Sequence, residues 1–171
     1  MGPLRLIDEV GADIAADVAA TLSAAFPQRM AVPEILHRMI AAGALGKKSG
    51  KGFYMHQKGA DPQPNRELAA VVSAGDATTF TASHLGRRMV LPMVNEAARC
   101  LEEEIVETAG DIDFAMVMGT GWAPFRGGPL RYADAVGIAE VVQQLEALDA
   151  VHPGGFAPAR SLTEMAAPGR A

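Results

Sequence analysis

The chain has only one cysteine, Cys100, among its 171 residues, and only 5% of its residues are aromatic. A single thiol excludes a disulfide within one chain and argues against a cysteine-ligated metal site. Few β-branched or aromatic side chains recur at every second position, which argues against an all-β fold. We therefore expect a helical protein in a reducing compartment, the cytoplasm.

Long apolar runs are also missing. No stretch of 18 apolar residues occurs, and no basic segment followed by an apolar one opens the chain, so neither a membrane span nor secretion is predicted. The net charge of −5 and the lack of a basic helix argue against nucleic acid as a partner. The hydrophobic share of 49% suffices for the core of one domain or of two small ones.

One phrase occurs twice. Residues 2–11, GPLRLIDEVG, return as GPLRYADAVG at 128–137, with seven of ten positions identical. Self-similarity of this kind is typical of a duplicated structural unit. In each copy Gly-Pro leads into an amphipathic segment, which suits a turn before a helix.

The two copies differ in what surrounds them. About 40 residues of helical pattern, 88–128, precede the second copy, whereas the first begins at Met1. We therefore expect a piece of a longer protein in which the first unit is truncated at its N-terminus. The predicted organisation is a first unit at 1–59, a linker at 60–79 and a second unit at 80–171. Apolar periodicity, capping residues and proline positions predict helices over 8–26, 32–42, 66–73, 81–103, 112–118 and 134–148.

A glycine and lysine loop at 46–54 is the main candidate for chemistry. Its glycines allow close backbone approach to an anion, and Lys47, Lys48 and Lys51 supply positive charge for a phosphate. It is not a Walker loop, because no Gly-Lys pair is followed by serine or threonine. A solvated turn that places Phe53 and Tyr54 against the core is the favoured alternative.

Other chemical motifs are weaker. The Gly119–Gly121 segment lacks the third glycine and the preceding strand of a dinucleotide site, and we expect Trp122, Pro124 and Phe125 to form an apolar plug there. The four histidines have no metal-ligand spacing. Asp111 and Asp113 are read as a helix cap and its neighbour rather than as an acid/base pair. No catalytic, cofactor-binding or metal-binding residue is assigned.

Taken together, these segments resemble a known family. Residues 1–11, followed by LGKKSGKGFY at 45–54, look like the C-terminal domain of the 3-hydroxyacyl-CoA dehydrogenases. The segments RMVLPMVNEA at 88–97, Asp111 to Asp113, and 119–132 resemble the duplicated C-terminal domain of the multifunctional fatty-acid oxidation alpha subunit.

The resemblance implies an all-α fold with two tandem copies of that domain, the first truncated. It implies NAD as the cofactor of the parent enzyme, bound by a domain absent here, and oxidation of 3-hydroxyacyl-CoA to 3-oxoacyl-CoA. The family's catalytic His and Glu belong to that absent domain, and its active-site Asn would precede Met1. In the second copy the corresponding pair is Arg87 and Arg88, which lacks the Asn. The chain alone is therefore expected to be inactive.

The resemblance also implies partners. These are acyl-CoA through the parent enzyme, the missing NAD-binding domain, and a second copy of the chain or a thiolase subunit. Whether Lys47, Lys48 and Lys51 contact the phosphates of coenzyme A stays open at this point. An alternative is a non-catalytic helical module that dimerises or holds acyl-CoA. A regulatory DNA-binding domain is disfavoured by the acidic charge balance.

Overall fold

A computed structural model describes residues 1–68 and 80–167 of the chain. The chain divides into two compact units, Met1–Thr79 and Phe80–Ala171. Helices make up most of the structure that is described, so the predicted helical character is confirmed. None of the helices among the described residues is both long enough and apolar enough to cross a membrane.

The first unit opens with three helices, which are followed by a short pair of strands. Its elements are α1 (Pro3–Val10), α2 (Ala12–Ala25), α3 (Glu34–Ala41), a 3-10 turn (Lys47–Ser49), β1 (Tyr54–Met55) and β2 (Gln63–Pro64). The two strands are antiparallel, with Tyr54 opposite Pro64 and Met55 opposite Gln63. Among the described residues, the core of this unit contains Ala12, Met39, Ala44 and Leu68, with Ile35 and Phe53 packed against it.

A glycine divides the first predicted helix. Periodicity predicts one helix over 8–26, but the structure has α1 and α2 with Gly11 between them at φ 110°. L side chains rarely adopt this conformation. A Cβ on Gly11 would also lie 2.7 Å from a carboxylate oxygen of Asp13 and from Nζ of Lys48. The chain therefore turns where the hydrophobic pattern alone predicts continuity.

The second unit is built around one long helix. Its elements are α4 (Ala82–Glu102), α5 (Ala109–Thr120), a 3-10 turn (Pro124–Arg126), α6 (Pro129–Val136), α7 (Ile138–Val151) and α8 (Arg160–Ala166). Thr81 caps α4, because its hydroxyl accepts a hydrogen bond from the His84 N–H at 3.1 Å. The core consists of Leu91, Val94, Ala98, Ala133, Val141, Val142, Leu145, Ala159 and Leu162.

Buried Asn95 joins α4 to the segment that precedes α8. Its amide nitrogen donates to the Ala157 carbonyl at 2.9 Å, and its oxygen accepts from the Ala159 N–H at 2.8 Å. Arg99 donates to the same Ala157 carbonyl at 2.7 Å. The segment thus satisfies its buried backbone groups with side chains of α4, as buried polar groups require.

Two successive helices of the first unit have counterparts in the second unit, offset by the same number of residues as the repeated phrase. The spans Pro3–Val10 and Ala12–Ala25 correspond to Pro129–Val136 and Ile138–Val151, and each pair has the same length. The residue between the paired helices is Gly11 in one unit and Gly137 in the other, at φ 110° and 99°. The final predicted helix, 134–148, is therefore divided at Gly137 for the same conformational reason.

The remaining predicted helices agree with the structure to different degrees. The helix predicted over 81–103 is confirmed as α4, and the one predicted over 112–118 extends over all of α5. Helix α8 was not predicted. The linker assigned to 60–79 stays a prediction: residues 69–79 lie outside the described ranges, as does most of the helix expected at 66–73, while residues 63–64 form β2.

Candidate functional site: a lysine loop anchored by a buried carboxylate

The lysine loop is anchored by Asp8, which lies in the last turn of α1 and is only 1% exposed. Its carboxylate accepts hydrogen bonds from the Phe53 N–H at 2.8 Å and the Tyr54 N–H at 2.9 Å. The imidazole Nε2 of His56 lies 2.7 Å from the same carboxylate. One buried side chain thus holds the end of the loop through three contacts.

Two loop glycines allow this close approach. A Cβ on Gly46 would lie 2.3 Å from the Asp8 carbonyl oxygen, and one on Gly52 would lie 2.2 Å from its carboxylate. No side chain tolerates such distances from a fixed neighbour, so only glycine fits at either position. Among the described contacts, the glycine pattern of this loop accommodates Asp8 rather than a bound anion.

Two of the three predicted phosphate ligands make ion pairs within the first unit. Lys47 Nζ lies 2.9 Å from a carboxylate oxygen of Glu9, and Lys48 pairs with Asp13. Both pairs connect the loop to α1 or α2. All four side chains are at least one third exposed, so each pair adds little to stability.

The hydrogen bond from Lys48 lowers the pKa of the Asp13 carboxyl below its ordinary value of 3.8. Slight desolvation opposes this effect, while backbone N–H groups and the charge of Lys48 favour the ionised form. The carboxylate of Asp13 is therefore ionised at neutral pH and remains available to hold Lys48.

Lys51 enters the loop through its backbone. Its carbonyl accepts from the Gly46 N–H at 2.8 Å and from the Ser49 hydroxyl at 2.9 Å. Its side chain makes no ion pair with a described residue. The adjacent Phe53 packs against the core of the first unit, as the solvated-turn interpretation expects. Phosphate contact by Lys47, Lys48 and Lys51 stays a prediction.

The Asp111 and Asp113 pair has capping roles. The Thr108 hydroxyl accepts from the Asp111 N–H at 3.2 Å and donates to its carboxylate at 2.7 Å, so these residues cap α5. Asp113 accepts from the N–H groups of Leu130 and Arg131 at 2.8 and 3.0 Å, which caps the start of α6. The predicted helix cap is confirmed. The contact from Asp113 to α6 was missed because it spans 17 residues.

The loop after α5 differs in part from expectation. Trp122 packs edge-on against Tyr132, with ring centroids 6.2 Å apart, as an apolar plug would. Phe125 is 84% exposed, so the prediction that it belongs to the plug is wrong. It follows Pro124 in a short 3-10 turn, and the Arg126 guanidinium lies 5.5 Å from the centre of its ring.

The histidines show what the sequence analysis missed. His56 lies just after the basic loop, and its side chain is only 8% exposed and contacts Asp8, 48 residues away. No local spacing signals such a contact. His37 is exposed on α3, as a surface role requires. In the described part of the chain, no group of three His, Cys, Asp or Glu side chains is placed to hold a metal ion.

Comparison with known families adds the decisive observation. The family described as 3-hydroxyacyl-CoA dehydrogenase, C-terminal domain, matches residues 1–56 and 84–171, which together are most of the chain. The chain belongs to this family. The two matched ranges include both occurrences of the repeated phrase and the lysine loop.

Curated relatives agree with this assignment. The chain is 37% identical over 172 aligned residues to the fatty acid oxidation complex subunit alpha of Shewanella amazonensis, and 35% identical over 170 to that of Vibrio vulnificus. Each alignment covers 99% of this chain and 24% of the relative. The chain therefore spans about a quarter of the length of these relatives.

Solved structures share the fold. The dehydrogenase part of multifunctional enzyme 1 from C. elegans has a TM-score of 0.67 at 24% identity, covering 96% of this chain and 38% of that one. The 3-hydroxybutyryl-CoA dehydrogenase of Escherichia coli K12 has a TM-score of 0.69 at 20% identity, covering 97% of this chain and 51% of that one. These similarities concern the fold of the helical domain.

Proposed function

We propose that this chain is a C-terminal helical part of an NAD-dependent 3-hydroxyacyl-CoA dehydrogenase of fatty-acid β-oxidation. In that parent protein, 3-hydroxyacyl-CoA is oxidised to 3-oxoacyl-CoA. The observation that carries this proposal is the family match over residues 1–56 and 84–171, together with relatives 35% to 37% identical over nearly the whole chain. The scarcity of cysteine supports a cytoplasmic location for the parent.

The described residues do not fit NAD. Dinucleotide sites of the Rossmann type need parallel strands that lead into glycine-rich turns and helices. The strands described here are two residues long and antiparallel. Gly121 ends α5 in the left-handed conformation, so the Gly119–Gly121 segment follows a helix instead of a strand. We therefore assign NAD binding to another domain of the parent, and no chemical step to residues of this chain.

We further propose that the chain contains two copies of one helical domain. The paired helix bounds support this idea, as do Gly11 and Gly137, each with a left-handed φ between paired helices. The third helices also correspond, because α3 begins at Glu34 and α8 at Arg160, at the same spacing. Duplication explains these coincidences, since unrelated helices would not share lengths and turn residues.

The first copy lacks a counterpart of α4 among the described residues. In the second unit, Leu130, Tyr132 and Leu148 pack against a core to which α4 contributes. Their counterparts in the first unit are 45%, 53% and 40% exposed: Leu4, Leu6 and Leu22. Exposed apolar side chains in this number indicate a surface that another segment covers. We propose that a helix equivalent to α4 covers it in the parent protein.

A second candidate function is a non-catalytic module that dimerises or holds acyl-CoA. It is favoured by the exposed Ile14 and Val18 on α2, 45% and 53% exposed, which could pack against a second copy. A thiolase subunit as partner stays a prediction. If the lysine loop contacts coenzyme A, Lys51 is the lysine that reaches a phosphate without breaking an ion pair to a described residue.

Calorimetric titration of the purified chain with NADH and with acetoacetyl-CoA separates these functions. We expect no saturable heat with NADH, because the described residues form no dinucleotide fold. Saturable binding of NADH would contradict our assignment of the cofactor to another domain. Binding of acetoacetyl-CoA alone, lost in Lys51→Gln, would instead favour the acyl-CoA-binding module.

A further inference from the structure

A groove in the second unit combines an apolar lining with basic side chains. It lies between α4 and α7 and has a volume of about 360 Å³. Leu91, Leu148 and Val151 give it apolar surface, and Phe80 also lines it. This volume is at the lower end of the range for small-molecule sites, roughly 300 to 1,000 Å³. The groove has room for an apolar chain of medium length.

The charged groups around the groove are all of one sign. Arg87 and Arg88 line it together with His84 and His152, and no carboxylate does. The guanidinium of Arg88 lies over the Phe156 ring at 5.0 Å, and His84 stacks on Phe80 at 4.9 Å. These ring contacts position Arg88 and His84. Neither Arg87 nor Arg88 forms an ion pair with a carboxylate of the described residues.

Carboxylates on α7 beside the groove are already engaged. The Glu140 carboxylate lies one helical turn before Gln144 and accepts a hydrogen bond from its side-chain amide. Asp149 accepts from the backbone N–H groups of Gly154 and Phe156 at 2.9 and 3.0 Å. Neither carboxylate neutralises the two arginines. The groove therefore joins unpaired positive charge to apolar surface, which complements an anionic amphiphile.

We propose that this groove binds a fatty carboxylate of medium chain length. The apolar chain lies on Leu91, Leu148 and Val151, and the carboxylate is held by Arg87 and Arg88. Arginine suits this role because its planar guanidinium can donate two hydrogen bonds to one carboxylate. The proposal concerns a site distinct from the lysine loop and does not depend on the proposed dehydrogenase function.

The test is an NMR titration of the full chain with decanoate below its micelle concentration. We expect saturable amide shifts in residues 80–91 and 144–152. Decanol and decylamine, which share the chain but lack the negative charge, should bind at least about fivefold more weakly. Binding of decanol as tight as that of decanoate would overturn the proposal, as would shifts confined to other parts of the chain or an absence of saturation.

Two variants separate the charge from the apolar lining. Arg87→Gln keeps the fold, because Arg87 is exposed, and should weaken decanoate about fivefold to tenfold. Ala147→Phe fills the groove without removing charge and should weaken it similarly. Arg160→Gln is the matched control, since Arg160 is exposed and does not line the groove. Equal effects of Arg87→Gln and Arg160→Gln would contradict the proposal.

Coenzyme A without an acyl chain is the remaining probe. It carries phosphates but no long apolar chain, so we expect it to bind the groove more weakly than decanoate. If coenzyme A instead shifts the same amides at lower concentration than decanoate, the arginines recognise phosphate and the fatty carboxylate assignment is wrong.

Discussion

Replacing Asp8 with asparagine tests how the lysine loop is held. The change preserves side-chain size but turns one acceptor oxygen into an amino group. One of the Phe53 and Tyr54 N–H groups, now 2.8 and 2.9 Å from a carboxylate oxygen, then faces a donor, and the contact with His56 loses its charge. Hydrogen bonds to a charged group contribute about 1.5 to 3 kcal/mol each, and an orphaned buried donor costs about 1 to 3 kcal/mol.

We therefore expect Asp8→Asn to lower the free energy of unfolding of the first unit by about 3 kcal/mol. This is a large fraction of the roughly 5 to 15 kcal/mol typical of a folded domain. Urea denaturation followed by far-UV circular dichroism measures the loss. Hydrogen exchange at the Phe53 and Tyr54 amides locates it, because both should exchange faster in the variant.

Glu9→Gln is the matched control. Glu9 follows Asp8 in α1 and carries the same charge, but it is exposed and pairs only with Lys47 in the described structure. Its loss should reduce stability by less than about 1 kcal/mol. A similar loss in both variants, or a loss below about 1 kcal/mol in Asp8→Asn, would refute the reasoning that the buried carboxylate holds the loop.

Three further changes test other contacts. Lys48→Gln should raise the pKa of Asp13 toward 3.8, as measured by NMR titration. Because the pKa is lowered in the folded protein, the Lys48–Asp13 contact stabilises the fold above about pH 4, and this contribution is lost as pH falls through the folded pKa. The variant should therefore lack this pH-dependent loss of stability. Asn95→Ala should destabilise the second unit by about 1 to 3 kcal/mol in thermal or urea unfolding, because the buried Ala159 N–H loses its partner while the Ala157 carbonyl keeps only its bond from Arg99. Gly52→Ala should release the loop, seen as faster exchange at Tyr54, since its Cβ would overlap Asp8.

Local patterns in the sequence predict the helices better than their ends. Thr81 and the apolar stripe after it predict α4 almost to the residue. The apolar periodicity of the sequence continues across Gly11, so it does not mark the turn that separates α1 from α2. Recognising the turn requires knowing that Asp13 and Lys48 crowd the position of a Cβ.

Contacts between residues that are far apart in the chain could not be predicted from the sequence. The lysine loop was identified from its glycines and charges, but its anchor, Asp8, lies 45 residues away from Phe53. Asp8 reads as one polar residue in an amphipathic segment, and His56 as one more basic residue in a basic loop. Their pairing depends on how α1 packs beside the loop, which no local pattern specifies.

We propose that this chain supplies the helical part of a dehydrogenase whose catalytic groups lie in other domains. A chimera tests it most directly: the segment of the Shewanella amazonensis relative that precedes the matched region, joined in frame to this chain. We predict NADH-dependent reduction of acetoacetyl-CoA by the chimera, and none by this chain or by the upstream segment alone. Turnover by the isolated chain, or a chimera no more active than the upstream segment, would contradict the account.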